Sequence, residues 1–537
     1  MKSESNLVPT SCADAVSRIR WHWLLLFCAA LSPAAVWSQT AALSIVPRVS
    51  VTETYTNNAL LQGNGGSSDF ITQLSPGIRI SSNGGRIRGS LDYSLSEFVY
   101  ANNSRGRQSQ NSLSALGSAE LVDNWAFLDM AASISQQAVS AFGIASVNAA
   151  TVNANSTETS VFRLSPYVRG RLAGVADYEA RYSLTSNRSQ SAAVSDVNSS
   201  DLSLKLTGVG ARPGGGWSLQ ADNQSTDYSA GRSTTSRRIN GQVSYPINTE
   251  WSGYVTVNHE SNNFAAAASQ AGDSAALGVR WAPYEEFRVG IDRDTRGFTG
   301  LALNWAPSKR ASLSVVREQR LFGETHNIAL AYRTPNTAWT FSDSRGAVTG
   351  QPSNSGSVSL YDLLTASFAS SETDPAKRAQ HDAFLLANGI RPGASAIGGF
   401  LSSSVSLQRQ QQLSFALFGA RSTVSVVATR SSNTRLDTVS AVVDDFTTSS
   451  VVGQTGLALN VSHRLSARSV LSLTAAQQSS SGSVGQAGTS LRSYNINLSH
   501  QFSREMTGNI GARRAVFDSS IAPYSETAVT GTLSVQF

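Results

Sequence analysis

Charge is scarce in this chain of 537 residues: Asp, Glu, Lys and Arg make up 15%, against about 25% in an ordinary soluble protein. Lysine occurs only at Lys2, Lys205, Lys309 and Lys377. With three Met and no heptads, a coiled coil is excluded. Past the first residues no apolar run approaches the roughly 20 residues that a spanning helix needs, so a helical membrane protein is excluded as well. Cysteine stops at Cys12 and Cys28. The rest of the chain has no disulfide, no thiolate nucleophile and no thiolate metal ligand. Basic runs are absent, and nothing in the charge pattern suggests nucleic acid. Ser, Asn, Thr, Gly and Ala fill the space, with 8% aromatics spread throughout, which argues against disorder. Low charge and near-neutral hydropathy leave one membrane class open, the β-barrel.

Residues 1–38 read as a secretory signal peptide. Lys2, Arg18 and Arg20 outnumber Glu4 and Asp14, which leaves +5 for the remainder of a chain whose net charge is +6. Leu24-Leu25-Leu26-Phe27-Cys28-Ala29-Ala30-Leu31 is an apolar stretch too short to span a bilayer. Val36-Trp37-Ser38 is a cleavage signal before Gln39, and Pro33-Ala34-Ala35 an alternative. Phe27 is too bulky for a lipoprotein signal at Cys28.

What remains, 39–537, alternates with period two. At the C-terminus Val529, Gly531, Leu533, Val535 and Phe537 alternate with Thr530, Thr532, Ser534 and Gln536. A chain that ends on such a strand and an aromatic matches the signal read by barrel-assembly machinery, with Leu533, Val535 and Phe537 as its elements. The same dyad recurs at Ile87–Leu95, Tyr178–Leu184, Leu202–Leu206, Ile239–Tyr245 and Tyr494–Leu498. Its polar phase is Ser, Asn, Thr and isolated charges, as a wet lumen requires. Short turns such as Ser82-Asn83-Gly84-Gly85, Asp123-Asn124 and Pro246-Ile247-Asn248 alternate with longer polar loops such as Gln137–Glu158, Asn187–Ser200, Asn258–Gly272 and Ser431–Thr448. The expected fold is all-β: a transmembrane antiparallel up-and-down β-barrel of about 24 strands, range 18–26, in the bacterial outer membrane with both termini periplasmic. Trp281, Trp305, Tyr245 and Phe502 are expected in its periplasmic aromatic girdle.

One stretch, 345–400, is too long for an ordinary loop. Asp374-Pro375 resembles an N-cap with Pro at the first helical position, which predicts a helix over about 374–388, ended by Gly389. This partly helical insertion is expected to nest in the barrel, because very wide barrels are plugged; a cap over the mouth is the alternative.

The chain also resembles the PEP-CTERM system-associated outer-membrane β-barrel family. The resemblance rests on Val51-Thr52-Glu53-Thr54-Tyr55-Thr56-Asn57-Asn58, Asp69–Gly77, Ala119–Asp123 with Ser133–Gln137, Ser165-Pro166-Tyr167-Val168, and Asp374–Arg378 through Ala387–Ile390. It covers nearly the whole of 39–537. It implies association with exosortase and exopolysaccharide systems of Gram-negative bacteria, and it transfers no functional residue.

No histidine sits in a nucleophile or metal motif, and serine is too abundant for any Ser–His–Asp triple to carry weight. Gly214-Gly215-Gly216 is a turn, since no helix follows it. An enzyme is not expected, and neither a catalytic residue, a cofactor nor a metal is assigned. The candidate functional surface is the set of charges on the polar phase: Arg88, Asp92, Asp177, Glu179, Arg181, Arg238, Arg280, Arg288 and Asp292. An Arg facing lipid at midplane costs about 2–4 kcal/mol, so these point into the lumen. They either brace the wall in pairs or meet a substrate, for which the planar guanidinium suits sugar carboxylates. The functions to weigh are a passage for extracellular polysaccharide, a general porin for small solutes, and a structural or adhesive surface barrel. The expected partners are outer-membrane lipid, the assembly machinery, exopolysaccharide and periplasmic export proteins.

Overall fold

The computed structural model describes residues 43–537 apart from 64–65, 103–105, 152, 211–213, 265–270, 350–357, 360–394, 398, 437–443 and 484. The signal peptide and the 374–388 helix therefore lie outside the described residues. The wall begins with β1 (Leu43–Thr56), β2 (Asp69–Gly84), β3 (Ile87–Tyr100), β4 (Arg107–Val122), β5 (Ala126–Ala138), β6 (Ser156–Leu172), β7 (Ala176–Ser189) and β8 (Val197–Val209). It continues through β9 (Gly216–Tyr228), β10 (Ser233–Pro246), β11 (Trp251–Asn262), β12 (Ala271–Tyr284), β13 (Phe287–Asp294), β14 (Thr299–Ser308), β15 (Ala311–Arg320), β16 (Gly323–Arg333) and β17 (Thr337–Val348). After the insertion come β18 (Ser406–Phe418), β19 (Ser422–Arg435), β20 (Val451–Arg464), β21 (Ser469–Ser481), β22 (Thr489–Gln501), β23 (Met506–Ser519) and β24 (Tyr524–Gln536).

These make one sheet of 24 strands, each antiparallel to the next. β24 returns to β1 in register from Arg48↔Gln536 to Thr56↔Ala528, so the sheet closes and has no edge. β17 pairs with β18 from Val348↔Ser406 down to Thr337↔Leu417. The insertion leaves this ladder intact. Within it, Val358–Ser359 pairs with Ser395–Ile397.

Alternation puts one phase of every strand outside. On β12 the outward residues are Leu277, Val279 and Trp281, on β11 Trp251, Val255 and Val257, on β24 Val529 and Leu533; all are exposed. An apolar belt of this extent around a closed ring needs lipid, not water. The chain is an outer-membrane β-barrel. The end that carries Leu43 and Phe537 also carries the tight turns, as on a periplasmic face. Gly85, with φ of 71°, makes the first of them. Trp281, Trp305, Tyr245 and Phe502 lie exposed at this end, where a girdle belongs. Trp251 stacks on Trp281 at 5.8 Å, and Trp281 meets Phe287 edge-on at 5.6 Å.

The other end differs from the sequence expectation in two ways. Strands continue into the segments that read as loops: β5 reaches Ala138 and β6 starts at Ser156, and β11 runs on to Asn262. Polar residues on both faces let a ladder persist above the membrane, where period-two hydrophobicity has already faded. Between β9 and β16 several outer connections are as tight as periplasmic ones, notably Thr295–Phe298 and Leu321–Phe322. In this sector β13 to β16 have 8, 10, 10 and 11 residues, whereas β2 and β4 have 16 each.

Candidate functional site

By strand alternation, the nine charges singled out above fall on the phase opposite the exposed apolar residues of their strands. Most are held in bridges that span neighbouring strands. Arg48 on β1 and Arg79 on β2 both grip Asp92 on β3, Arg79 through Nη2 at 2.8 Å. Gly77 lies beneath Arg48 and leaves room for it. Arg181 on β7 crosses the Tyr167 ring at 3.8 Å to reach Asp129 on β5 at 2.8 Å, and it also contacts Glu179 at 3.3 Å. Asp177, near the periplasmic turn, sits 3.6 Å from Arg171. Tyr254 on β11 lies along the wall over Gly278, close to Gly290, and donates its hydroxyl to Asp292 on β13 at 3.0 Å. A Cβ at Gly278 would enter the Tyr254 ring. Gly278→Ala is therefore expected to cost about 1–3 kcal/mol through overpacking. Gel mobility of the folded barrel against temperature measures it; an unchanged transition would mean that Tyr254 has another rotamer available at no cost.

The next layer crosses the lumen. Arg238 on β10 pairs with Glu318 on β15 at 3.0 Å, with β11, β12, β13 and β14 between them. Arg320 on β15 grips Glu260 on β11 through Nε and Nη2, at 2.9–3.0 Å. Five strand steps of about 4.8 Å make roughly 24 Å of wall. Two side chains cannot span that distance, so the wall folds back on itself here and pinches the lumen. A cavity of about 370 Å³ lies against this fold, lined by Tyr254, Arg280, Arg288, Asp292, Glu318 and Arg320 among others.

Arg280 and Arg288 occupy the periplasmic side of that cavity on adjacent strands. Arg280 is half-buried with its guanidinium 5.2 Å from the centre of the Tyr254 ring. Among the described residues, neither it nor Arg288 has a carboxylate within ion-pair distance, and the same is true of Arg88 near the first periplasmic turn. The nine candidates thus divide: Asp92, Asp177, Glu179, Arg181, Arg238 and Asp292 brace the wall, while Arg88, Arg280 and Arg288 are available to a solute.

The outer mouth is crossed by the connection from β5 to β6. Leu401 donates its N–H to Ala138 O at 2.9 Å, and Phe400 bridges to Ala138. Ser140 Oγ and the Ala141 N–H donate to Asp445 at 2.6 and 2.7 Å; Asp445 opens the short helix α1 (Asp445–Thr448). Further along, Ala145 O accepts from Tyr524 Oη at 2.5 Å, Ala149 O from Gln110 at 2.9 Å and Ala150 O from Tyr100 Oη at 2.7 Å. Ala141, Phe400, Phe446 and Val452 form a buried cluster beneath it. The insertion contributes its return arm, Phe400 to Val405, and at its start Thr349 Oγ1 donates to Gln224 on β9 at 3.2 Å. Both described stems of the insertion thus turn inward.

Sequence reasoning missed Glu260, Glu318 and Arg320, although strand phase alone places them in the lumen. It also missed the inward fold of the β5–β6 connection, whose signal was its apolar Phe142, Ile144 and Val147. Leu533 and Phe537 are exposed on the outer face, and the Phe537 N–H donates to Pro47 O at 2.9 Å, tying the last residue to β1. His463 and His500 sit at equivalent periplasmic strand ends against Ser422 and Ser469, at 2.8 and 2.9 Å. Among the described residues no group of three or more His, Cys, Asp or Glu could hold a metal ion.

No protein-family profile matches the chain, and no curated protein matches it in sequence. Solved structures overlay it distantly. The siderophore receptor PirA from Pseudomonas aeruginosa is 9% identical with a TM-score of 0.38, over 93% of this chain and 81% of the receptor. The FrpB iron transporter from Neisseria meningitidis is 9% identical with a TM-score of 0.41, over 91% and 82%. OccAB3 from Acinetobacter baumannii is 9% identical with a TM-score of 0.33, over 92% and 100%. At that distance the cargo of those proteins stays with them.

Proposed function

We propose that the barrel is an outer-membrane passage for an extracellular polysaccharide, serving the exosortase and PEP-CTERM system that the sequence resemblance implies. The observation that carries this reading is the unpaired Arg280–Arg288 pair beside Tyr254, set in a lumen whose other charges are mostly braced. Guanidinium groups offer planar forks to carboxylates, and small Ser, Asn and Thr side chains offer exchangeable hydrogen bonds to sugar hydroxyls. A polymer entering from the periplasm meets the arginines first, then the pinch, then the docked mouth. Passage requires the mouth to move, and periplasmic export proteins would supply the polymer.

A general porin for small solutes is the second reading, favoured by the plain polar lining. A structural or adhesive barrel is the third, favoured by the connection docked across the mouth. The test is the location of exopolysaccharide in a deletion strain. Periplasmic accumulation, relieved by the intact gene and not by Arg280→Gln/Arg288→Gln, is expected. Normal secretion overturns the export reading. Free permeation of small sugars in liposome swelling would then select the porin, and loop deletions that abolish surface retention of polymer would select the structural role.

A further inference from the structure

The outer face of β15 to β18 carries a second charged assembly, unrelated to what passes through the lumen. Strand register sorts its side chains into rows. Lowest is an aromatic row, Tyr332↔Trp339↔Phe415, with Trp339 and Phe415 centroids 4.3 Å apart. Two residues up is the row Leu313↔Leu330↔Phe341↔Leu413. Six residues above the aromatics is the row Arg317↔His326↔Arg345↔Arg409, each directly opposite the next. Arg345 and Arg409 are like charges directly opposite one another on the sheet, and they repel. Two carboxylates relieve part of that: Glu324 takes Arg317 in a two-pronged pair at 2.8 and 2.9 Å, and Asp343 takes Arg409 at 2.6 and 3.1 Å with His326 at 3.0 Å. Arg345, in the middle, has no carboxylate within ion-pair distance among the described residues.

The height of the row matters as much as its charge. Six residues are roughly 20 Å along a strand, and about 15 Å along the membrane normal at barrel tilt. The apolar band of an outer-membrane barrel is about 25 Å tall. This row therefore stands below the usual level of the outer headgroups, on the side where β13 to β16 are shortest. A lipid whose chains lay on the apolar rows would have to bring its phosphate down to reach Arg345, and the leaflet would have to thin locally to let it.

We propose that the Arg317–His326–Arg345–Arg409 row binds the phosphate of an outer-leaflet lipid and thins the membrane beside β15–β18. The probe is the intact barrel in mixed micelles with phosphatidylglycerol or phosphatidylcholine, read by native mass spectrometry for retained lipid. The wild type is expected to retain the anionic lipid about fivefold or more over the zwitterionic one, as charge-assisted phosphate contacts require. Arg317→Gln/Arg345→Gln, which leaves Arg409–Asp343 in place, is expected to lose that preference, and Arg345→Lys to keep most of it. Should the double variant fail to show the mobility of a folded barrel, Arg345→Gln alone serves, since among the described residues Arg345 holds no ion pair to break. Equal retention of both lipids by the wild type overturns the proposal. So does a preference unchanged by the substitutions, or displacement of the lipid by millimolar inorganic phosphate, which would make the ligand a free anion.

Discussion

Replacing the β5–β6 connection, residues 141–154, with a short Gly-Ser turn is expected to raise conductance across a planar bilayer by about tenfold or more, since a wide barrel without its inner loops is an aqueous channel. The connection is docked, not woven into the wall. Its anchors are side chains and carbonyls: Asp445 on Ser140 and Ala141, Tyr524 on Ala145, Gln110 on Ala149 and Tyr100 on Ala150. Asp445→Ala removes one anchor and leaves a buried N–H and hydroxyl unpaired, at about 1–3 kcal/mol, so it should reproduce part of the increase. The same carboxyl gives a pH dependence. Burial raises its pKa, against the lowering effect of its bonds from Ser140 and the Ala141 N–H. The docked state therefore holds the proton more tightly than the undocked one. Docking strengthens as pH falls from neutral towards the ordinary aspartate range and weakens as pH rises, so acidification should reduce conductance. Unchanged conductance after removal of the connection would move the barrier to the pinch or to the 349–405 insertion.

The largest stability effect is expected at the seam. Arg513 on β23 and Thr56 on β1 both reach Glu526 on β24, at 2.9 and 3.0 Å, and Glu526 is 1% exposed. Glu526→Ala leaves the charged Arg513, whose side chain is 11% exposed, without its partner, at a cost of about 3–5 kcal/mol. A buried pair replaced whole by apolar groups often loses nothing. Arg513→Met/Glu526→Leu should consequently unfold near the wild-type temperature when the single variant does not, with gel mobility against temperature as the readout. A single variant as stable as the wild type would mean that water reaches the seam.

Strand phase made the wall legible from sequence. Leu277, Val279 and Trp281 against Gly278 and Arg280 assign both faces of β12 before any partner strand is known, and nine lumen charges follow from the same rule. Phase says nothing about distance around the ring. That Arg238 meets Glu318 depends on how sharply the wall bends between β10 and β15, a property of short strands and tight outer turns that no local pattern encodes. The docked connection was hidden for a related reason. Its Phe142, Ile144 and Val147 are scattered among Ser, Asn and Ala that read as solvent-exposed loop, and its anchoring acceptors are mostly backbone carbonyls, which every residue has.

The unbroken β17–β18 ladder separates two kinds of inheritance. Its register from Val348↔Ser406 downward is set without reference to anything between those residues. Residues 349–405 can therefore lengthen, shorten or be exchanged between relatives while the wall folds as before. Selection can act on that segment without touching assembly of the wall. The wall is in this sense a socket, and the segment between β17 and β18 is the replaceable part.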